Sequence, residues 1–221
     1  MCQSKSILFY ETHQKMKHLF SAALIVFALN FSFAQEAFVS FGRNFTTYNF
    51  TNSMGEENPN ISPSSGNAYE IGVGITLENW LDGLSYVPSL ALNQYNATGG
   101  NFVNNYSWNT NFMGLNNALQ YKPLDEGSKF QVGVKVGVGL SMIIQGEQKI
   151  NGATFDLTGN DEFKGLWTSP FGGLDVTYYF FEDIGLGLGY TYSKVIGGGA
   201  DDQELDFTNG QLQFSLKFNL N

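Results

Sequence analysis

The side chains that most often do chemistry near neutral pH are missing from most of this chain. Both histidines, His13 and His18, and the single cysteine, Cys2, lie within the first 18 residues. Acyl transfer, lipid hydrolysis and proteolysis through an activated Ser or Cys need an imidazole or a thiolate, so residues 35–221 cannot run them in their usual form. No pair of carboxylates stands out at the ends of candidate strands, and the sequence predicts no enzyme, no catalytic residue and no cofactor. One stretch, Gly197 to Asp206 (GGGADDQELD), sets carboxylates after a glycine turn and could offer hard oxygen ligands to Ca²⁺. Gly/Asp calcium sites work by repetition, and this segment occurs once, so it reads as a solvated acidic loop with no metal. Asn-x-Ser/Thr triplets starting at Asn44, Asn49, Asn60, Asn96 and Asn105 read as Asn-rich composition rather than as glycan acceptors.

The elements that carry these residues are more informative. Lys15, Lys17 and His18 precede an apolar run, Leu19 to Leu29, and Ser32 and Ala34 place small residues at −3 and −1 of a cleavage site between Ala34 and Gln35. About 11 apolar residues fall short of the roughly 20 that cross a bilayer, so residues 1–34 read as a cleaved export signal. Met16 offers a natural start, with residues 1–15 then an upstream extension; a long n-region is the alternative. The leader's Lys5, Lys15 and Lys17 against Glu11 give it +2, so residues 35–221 carry −9 − 2 = −11. That acidity excludes nucleic acid, whose phosphates require clustered Lys and Arg. Charged residues make up 14% of the chain, well below the quarter typical of soluble domains, while Gly and aromatics are abundant.

Lys129 to Gln145 (KFQVGVKVGVGLSMIIQ) explains this composition. Phe130, Val132, Val134, Val136, Val138, Leu140, Met142 and Ile144 alternate with Lys, Gln, Gly and Ser. Alternation puts the two sets on opposite faces of a strand, one continuously apolar and one too polar and Gly-rich for a dry core. Lipid on one side and a polar barrel interior on the other satisfies both. The pattern recurs eight times. Strands are expected over 35–49, 69–77, 84–95, 106–122, 129–145, 166–181, 184–195 and 208–220, with long polar loops at 50–67, 96–105, 146–165 and 196–207 alternating with short turns. This predicts an all-β, eight-stranded antiparallel up-and-down transmembrane β-barrel over residues 35–221, both termini on the periplasmic side. Val134, Val136, Leu186, Leu188 and Phe214 should face lipid. Pro88 invites a bulge in the third strand, and a bulge near Phe112 would reset the phase of the fourth. Trp80, Tyr121, Tyr178 and Phe180 would form the lower aromatic girdle, and Tyr69, Trp108 and Tyr190 the upper one.

Inside, Lys135 and Asp175 sit on polar faces of neighbouring strands, each six residues above its lower turn. They are expected to pair, with Glu70 and Lys217 as further members of an interior network. Gly137, on the same face, should accept Ser more easily than Val136 accepts Arg unless bulk blocks the interior.

The leader, the stretch Tyr178 to Tyr192 (YYFFEDIGLGLGYTY) and the alternating last strand resemble the outer-membrane β-barrel family of OmpA-like and PorT-like proteins. The resemblance implies an outer-membrane location, contact with outer-membrane lipid and lipopolysaccharide, and a last strand read by the barrel assembly machinery, with Phe218 as its signal aromatic. The missing His and Cys and an interior filled by its own side chains point instead to a non-enzymatic structural or surface-interaction role through the extracellular loops. A channel or secretion-accessory barrel, and a soluble periplasmic lipid-binding barrel, are the competing readings.

Overall fold

The computed structural model describes residues 35–51, 61–77, 79–100, 105–124, 127–158, 163, 165–198 and 204–220. The expected export signal, its cleavage residue Ala34 and the centre of the acidic loop lie outside these. Nine strands form: β1 (Glu36–Thr51), β2 (Ile61–Thr76), β3 (Leu84–Gly100), β4 (Asn105–Tyr121), β5 (Phe130–Ile150), β6 (Ala153–Asp156), β7 (Trp167–Tyr179), β8 (Ile184–Gly198) and β9 (Glu204–Asn219). Every pairing is antiparallel, β1 joins β9, and β4 joins β5, so eight strands close into a barrel with β6 as a short addition on β5. Among the described residues there is no helix.

The register fixes the barrel's shape. Starting at Asn49 and stepping through paired residues Asp206, Ile196, Thr168, Leu140, Leu115, Leu90 and Ile71 returns to β1 at Val39, ten residues below the start. A stagger of ten over eight strands, with strands about 4.8 Å apart and about 3.3 Å per residue, tilts them by about 40° and gives a backbone radius of about 8 Å. An interior of that width is filled by side chains.

Strand parity is as the alternation predicts. Val134, Val136, Leu186, Leu188 and Phe214 all stand on the outer face, 47–63% exposed. Val39, Phe41, Tyr69, Ile71, Leu92, Leu119, Leu174 and Leu216 complete an exposed apolar belt. Asn117 interrupts this belt, and the Tyr86 hydroxyl donates to its Oδ1 at 2.5 Å. Phe218 lies in register with Ala37 and Ile184 on the same face.

Several boundaries and phases differ from the sequence reading. Stretches expected as loops are strand: 61–67, 96–100 and 146–150 continue the ladder, and Asn151–Gly152, at φ 49° and 87°, turns the chain into β6. Positive φ at both central residues suits a type I′ hairpin, and Asn-Gly is the pair that takes it most easily. Pro88 causes no register shift. The β2–β3 irregularity falls between Pro63 and Ala68 instead. The irregularity beside Phe112 exists, but the extra residue is on β5: Asn111 pairs Gln145 while Phe112 pairs Ile143, leaving Ile144 over. The phase of β4 is therefore never reset. Phe112 points inward, and Trp108 packs against the inner cluster rather than joining an outer girdle.

Candidate functional site

The interior divides into two zones. The lower zone, nearer the termini, is ionic. Lys217 on β9 places Nζ 2.9 Å from Asp175 Oδ2 on β7 and 3.8 Å from Glu36 Oε1 on β1. Lys122 Nζ, just past β4, meets Glu36 Oε2 at 2.6 Å, and the Tyr179 hydroxyl donates to the same oxygen at 2.9 Å. Gln120 Nε2 donates to Asp175 Oδ1. One level higher, Glu70 accepts from Ser89, from Gln213 Nε2 at 2.8 Å and from Asn116 Nδ2 at 3.3 Å. Lys135 Nζ donates to Gln213 Oε1 at 3.5 Å.

All four sequence-predicted residues thus line the interior, but the expected Lys135–Asp175 pair does not form. In register, Asp175 stands opposite Gly133 and Lys135 opposite Gly173, so the two charges sit two residues apart along the strands. Asp175 turns across β8 to Lys217, and Lys135 turns toward Gln213, which bridges it to Glu70. Sequence reasoning missed Glu36 and Lys122, which complete the lower cluster. Glu36 has Phe38, Ser40 and Asn44 as same-parity successors, and that parity is what could have found it. Glycine spacing makes room for the network. A Cβ at Gly133 would stand 2.6 Å from Gln120 Nε2 and 2.7 Å from Asp175 Oδ1. At Gly137 a Cβ would lie 2.3 Å from the Asn117 carbonyl oxygen, so bulk does block the interior there: backbone fills the space.

The upper zone is aromatic. Tyr48, Tyr95, Phe112, Trp167 and Phe207 are 5% exposed or less and converge from β1, β3, β4, β7 and β9. Ring centroids are 4.7 Å apart for Tyr48–Phe207 and Tyr95–Phe207, and 5.4 Å for Phe112–Trp167. Tyr48 Oη lies 3.0 Å from Thr110 Oγ1, so the buried hydroxyl has a partner. From the segment after β6, Leu157 and Phe163 fold into this cluster. Leu157 N donates to the Gly146 carbonyl at 2.9 Å, and Trp167 Nε1 to the Phe163 carbonyl at 3.3 Å. These aromatics plug the end of the barrel opposite the termini.

The outer face changes with the inner one. Beside Tyr48 the outward neighbours are Thr47 and Asn49, beside Tyr95 they are Gln94 and Asn96, and beside Phe207 they are Asp206 and Thr208. Asp206 takes Lys194 Nζ at 2.7 Å and Asn49 Nδ2 at 2.8 Å. Where the inside is ionic the outside is apolar; around Tyr48, Tyr95 and Phe207 the outside is polar, while Leu166 and Ile196, both exposed, keep it apolar beside Trp167 and Val195. The two arrangements suit a hydrocarbon surround below and an aqueous surround above.

The interior offers little room. Two cavities of about 40 and 30 Å³ lie within the polar zone, space for single waters. A larger recess of about 200 Å³ opens at the terminal end beside Glu36, Lys122 and Tyr179. Among the described residues no cluster of His, Cys, Asp and Glu could hold a metal ion.

No family model matches this chain, and no curated protein matches it. Solved structures do. Neisserial surface protein A aligns with a TM-score of 0.50 at 11% identity, over 83% of this chain and 97% of that one. The outer membrane protein OprG from Pseudomonas aeruginosa aligns with a TM-score of 0.47 at 13% identity, over 84% and 97%. Ail, the attachment invasion locus protein of Yersinia pestis, aligns with a TM-score of 0.41 at 11% identity, over 84% and 99%. Nothing in these comparisons bears on the PorT-like side of the resemblance. At these identities the likeness concerns fold alone: the chain has the closed eight-stranded antiparallel barrel that Neisserial surface protein A also has.

Proposed function

We propose that this protein is an outer-membrane β-barrel with a non-enzymatic surface role, exported through a leader cleaved between Ala34 and Gln35. One observation carries the reading: an exposed apolar belt surrounds an interior that holds the buried charges. A soluble lipid-binding barrel would have no use for Val136, Leu186 and Phe214 standing about half exposed among other apolar residues. Burial of such a belt in hydrocarbon, with the charges confined inside, is the stable alternative.

The rim that would meet partners is built from strands that run on above the belt, the upper ends of β1–β5 with the β5–β6 hairpin. A rigid sheet extension holds such a surface in place better than free loops do. The aromatic plug argues against conduction, because Tyr48, Phe207 and Trp167 are buried and packed ring against ring across that end. The lack of His and Cys after residue 18 supports a role in binding rather than catalysis. Phe218, outward on the last strand, fits a signal for the assembly machinery.

Refolding into lipid vesicles tests this. Proteolysis should leave a protected barrel fragment, and planar-bilayer recordings should show no steady conductance. A protein that stays soluble without detergent, or a stable open conductance, would count against it.

A further inference from the structure

One sheet edge is left over when the barrel closes. The eight strands of the circuit have two neighbours each, whereas β6 pairs with β5 alone among the described residues. Lower down, β7 covers that side of β5, but its pairing stops at Ser141 with Trp167, while β5 continues to Ile150. The upper ends of β4 and β5 and all of β6 therefore rise together as a ledge above the mouth. Its tip is held by Asn151 N, which donates to the Asn105 carbonyl at 3.0 Å, and by Asn105 N, which donates to Asn151 Oδ1 at 2.9 Å.

The register says which β6 groups are free. In a two-residue hairpin the residues flanking the turn exchange both backbone bonds, and bonded pairs then recur at every second residue. Ile150 with Ala153 is the first such pair and Gln148 with Phe155 the second. The bond from Leu157 N to the Gly146 carbonyl at 2.9 Å falls where the third belongs. Thr154 and Asp156 lie between, so their N–H and C=O groups point away from β5. Both residues are exposed. Free groups at alternate residues of an edge are what an incoming strand pairs with.

The two faces of the ledge state what that strand should carry. Phe155 shares the inner face with Trp108 and Leu157; Leu157 is buried, but Phe155 stands 51% exposed. On the outer face Glu147 lies directly across from Asp156. Like charges in opposed positions of a sheet repel, and among the described residues neither carboxylate has an ion-pair partner. Lys149 faces the same way opposite Thr154 and pairs with neither. The sequence around the ledge has the same sign: 50–67, 96–105, 146–165 and 196–207 hold ten acids and two lysines.

We propose that the free edge of β6 takes an extended segment of a partner protein as a further strand, basic on its outer side and apolar against Phe155. The inference rests on the surface role given above and names its class of partner. A cation opposite Asp156 would sit beside both carboxylates, and an apolar residue opposite Phe155 would widen the inner face. A second copy of this chain could also add a strand there, but two such acidic chains repel.

The test uses the barrel refolded from residues 35–221 in zwitterionic micelles, with fluorescent seven-residue peptides as probes. One peptide alternates Lys and Val, a second alternates Glu and Val, and a third has the first composition with its lysines grouped at one end. Two more are the Lys–Val peptide N-methylated either on its lysine amides, which would face β6, or on its valine amides, which would not. The alternating Lys–Val peptide and its valine-methylated form should bind, and the other three should bind far more weakly. Thr154→Pro deletes a free N–H without touching the β5 ladder and should weaken binding about fivefold. Glu147→Gln should weaken it about threefold, Lys149→Gln should tighten it by a similar factor, and Lys129→Gln, at the other end of the barrel, should change nothing. Equal binding of the acidic, grouped or lysine-methylated peptide overturns the strand, as does no binding of the alternating one. Dimers that Thr154→Pro abolishes would give the edge to a second copy and overturn it too. All proteins are first checked for insertion into vesicles; if Thr154→Pro fails there, the methylated peptides on wild type decide. A wild-type barrel that fails to insert would instead overturn the membrane reading.

Discussion

Removing the Lys217 ammonium should be among the most damaging single changes in the barrel. Lys217 is 5% exposed and its Nζ lies 2.9 Å from Asp175 Oδ2 and 3.8 Å from Glu36 Oε1. In Lys217→Met, Glu36 keeps Lys122 at 2.6 Å and the Tyr179 hydroxyl at 2.9 Å. Among the described residues Asp175 keeps hydrogen bonds only from Gln120 and, at 3.5 Å, from Thr177. The loss is therefore close to that of one buried charge left without its partner, about 3–5 kcal/mol. Lys194→Met removes a pair whose lysine is half exposed and whose Asp206 is buried, but Asp206 keeps Asn49 Nδ2 at 2.8 Å, so the cost should be well below that of Lys217→Met. Urea unfolding in lipid vesicles compares the two directly. Asp175→Leu in the Lys217→Met background should recover part of the loss, giving a coupling of about 1–3 kcal/mol. The same cycle between Lys135 and Asp175 should give below about 1 kcal/mol, because Lys135 is turned toward Gln213. A Lys217→Met variant as stable as Lys194→Met, or a larger coupling for Lys135 than for Lys217, would refute this assignment of partners.

Three further outcomes are expected. Val136→Arg should cost about 2–4 kcal/mol in vesicles if Val136 lies near the midplane; Gly137→Ser should also destabilise, because its Cβ would meet the Asn117 carbonyl, and a neutral Gly137→Ser would contradict the packing. Phe207→Ala removes the ring shared by Tyr48, Tyr95 and Trp167 and should cost about 3–5 kcal/mol. Flickering conductance in planar bilayers is the second readout for that variant, and silence with unchanged stability would mean the plug is not what closes the mouth. Intact-mass spectrometry of membrane-extracted protein should find a chain beginning at Gln35, and a chain retaining Leu19 to Leu29 would remove the export argument.

The lower half of this barrel was legible because one rule governs it. Residues such as Val134, Val136, Leu186 and Leu188 alternate with Gly, Lys and Ser, and no competing packing can use both faces. Above the belt the rule reverses, and the sequence reading went wrong there. Ser62 to Asn67, Asn96 to Gly100 and Gly146 to Ile150 are strands with polar outward positions, so by composition they read as loops. Trp108, expected in the outer girdle, and Phe112, expected at a bulge, belong to an upper segment whose apolar side is the inner one. The Asn151–Gly152 hairpin carried a strong local signal that the surrounding polarity hid. The ionic site was half legible. Parity alone brought Lys135, Asp175, Glu70 and Lys217 inside, but pairing depends on register and on reach across the barrel, and counting up from the turns was two residues off.

The orientation of the two faces toward lipid is the claim on which the rest depends, and residues 35–221 contain no cysteine, so single-cysteine labelling can measure it. Nitroxides at Val136 and Leu188 should collide freely with oxygen and be shielded from a water-soluble nickel chelate in vesicles. Labels at Thr47 and Asn96, above the belt, should show the opposite preference. Chelate access at Val136 and Leu188 equal to that at Thr47 would contradict a membrane-spanning barrel.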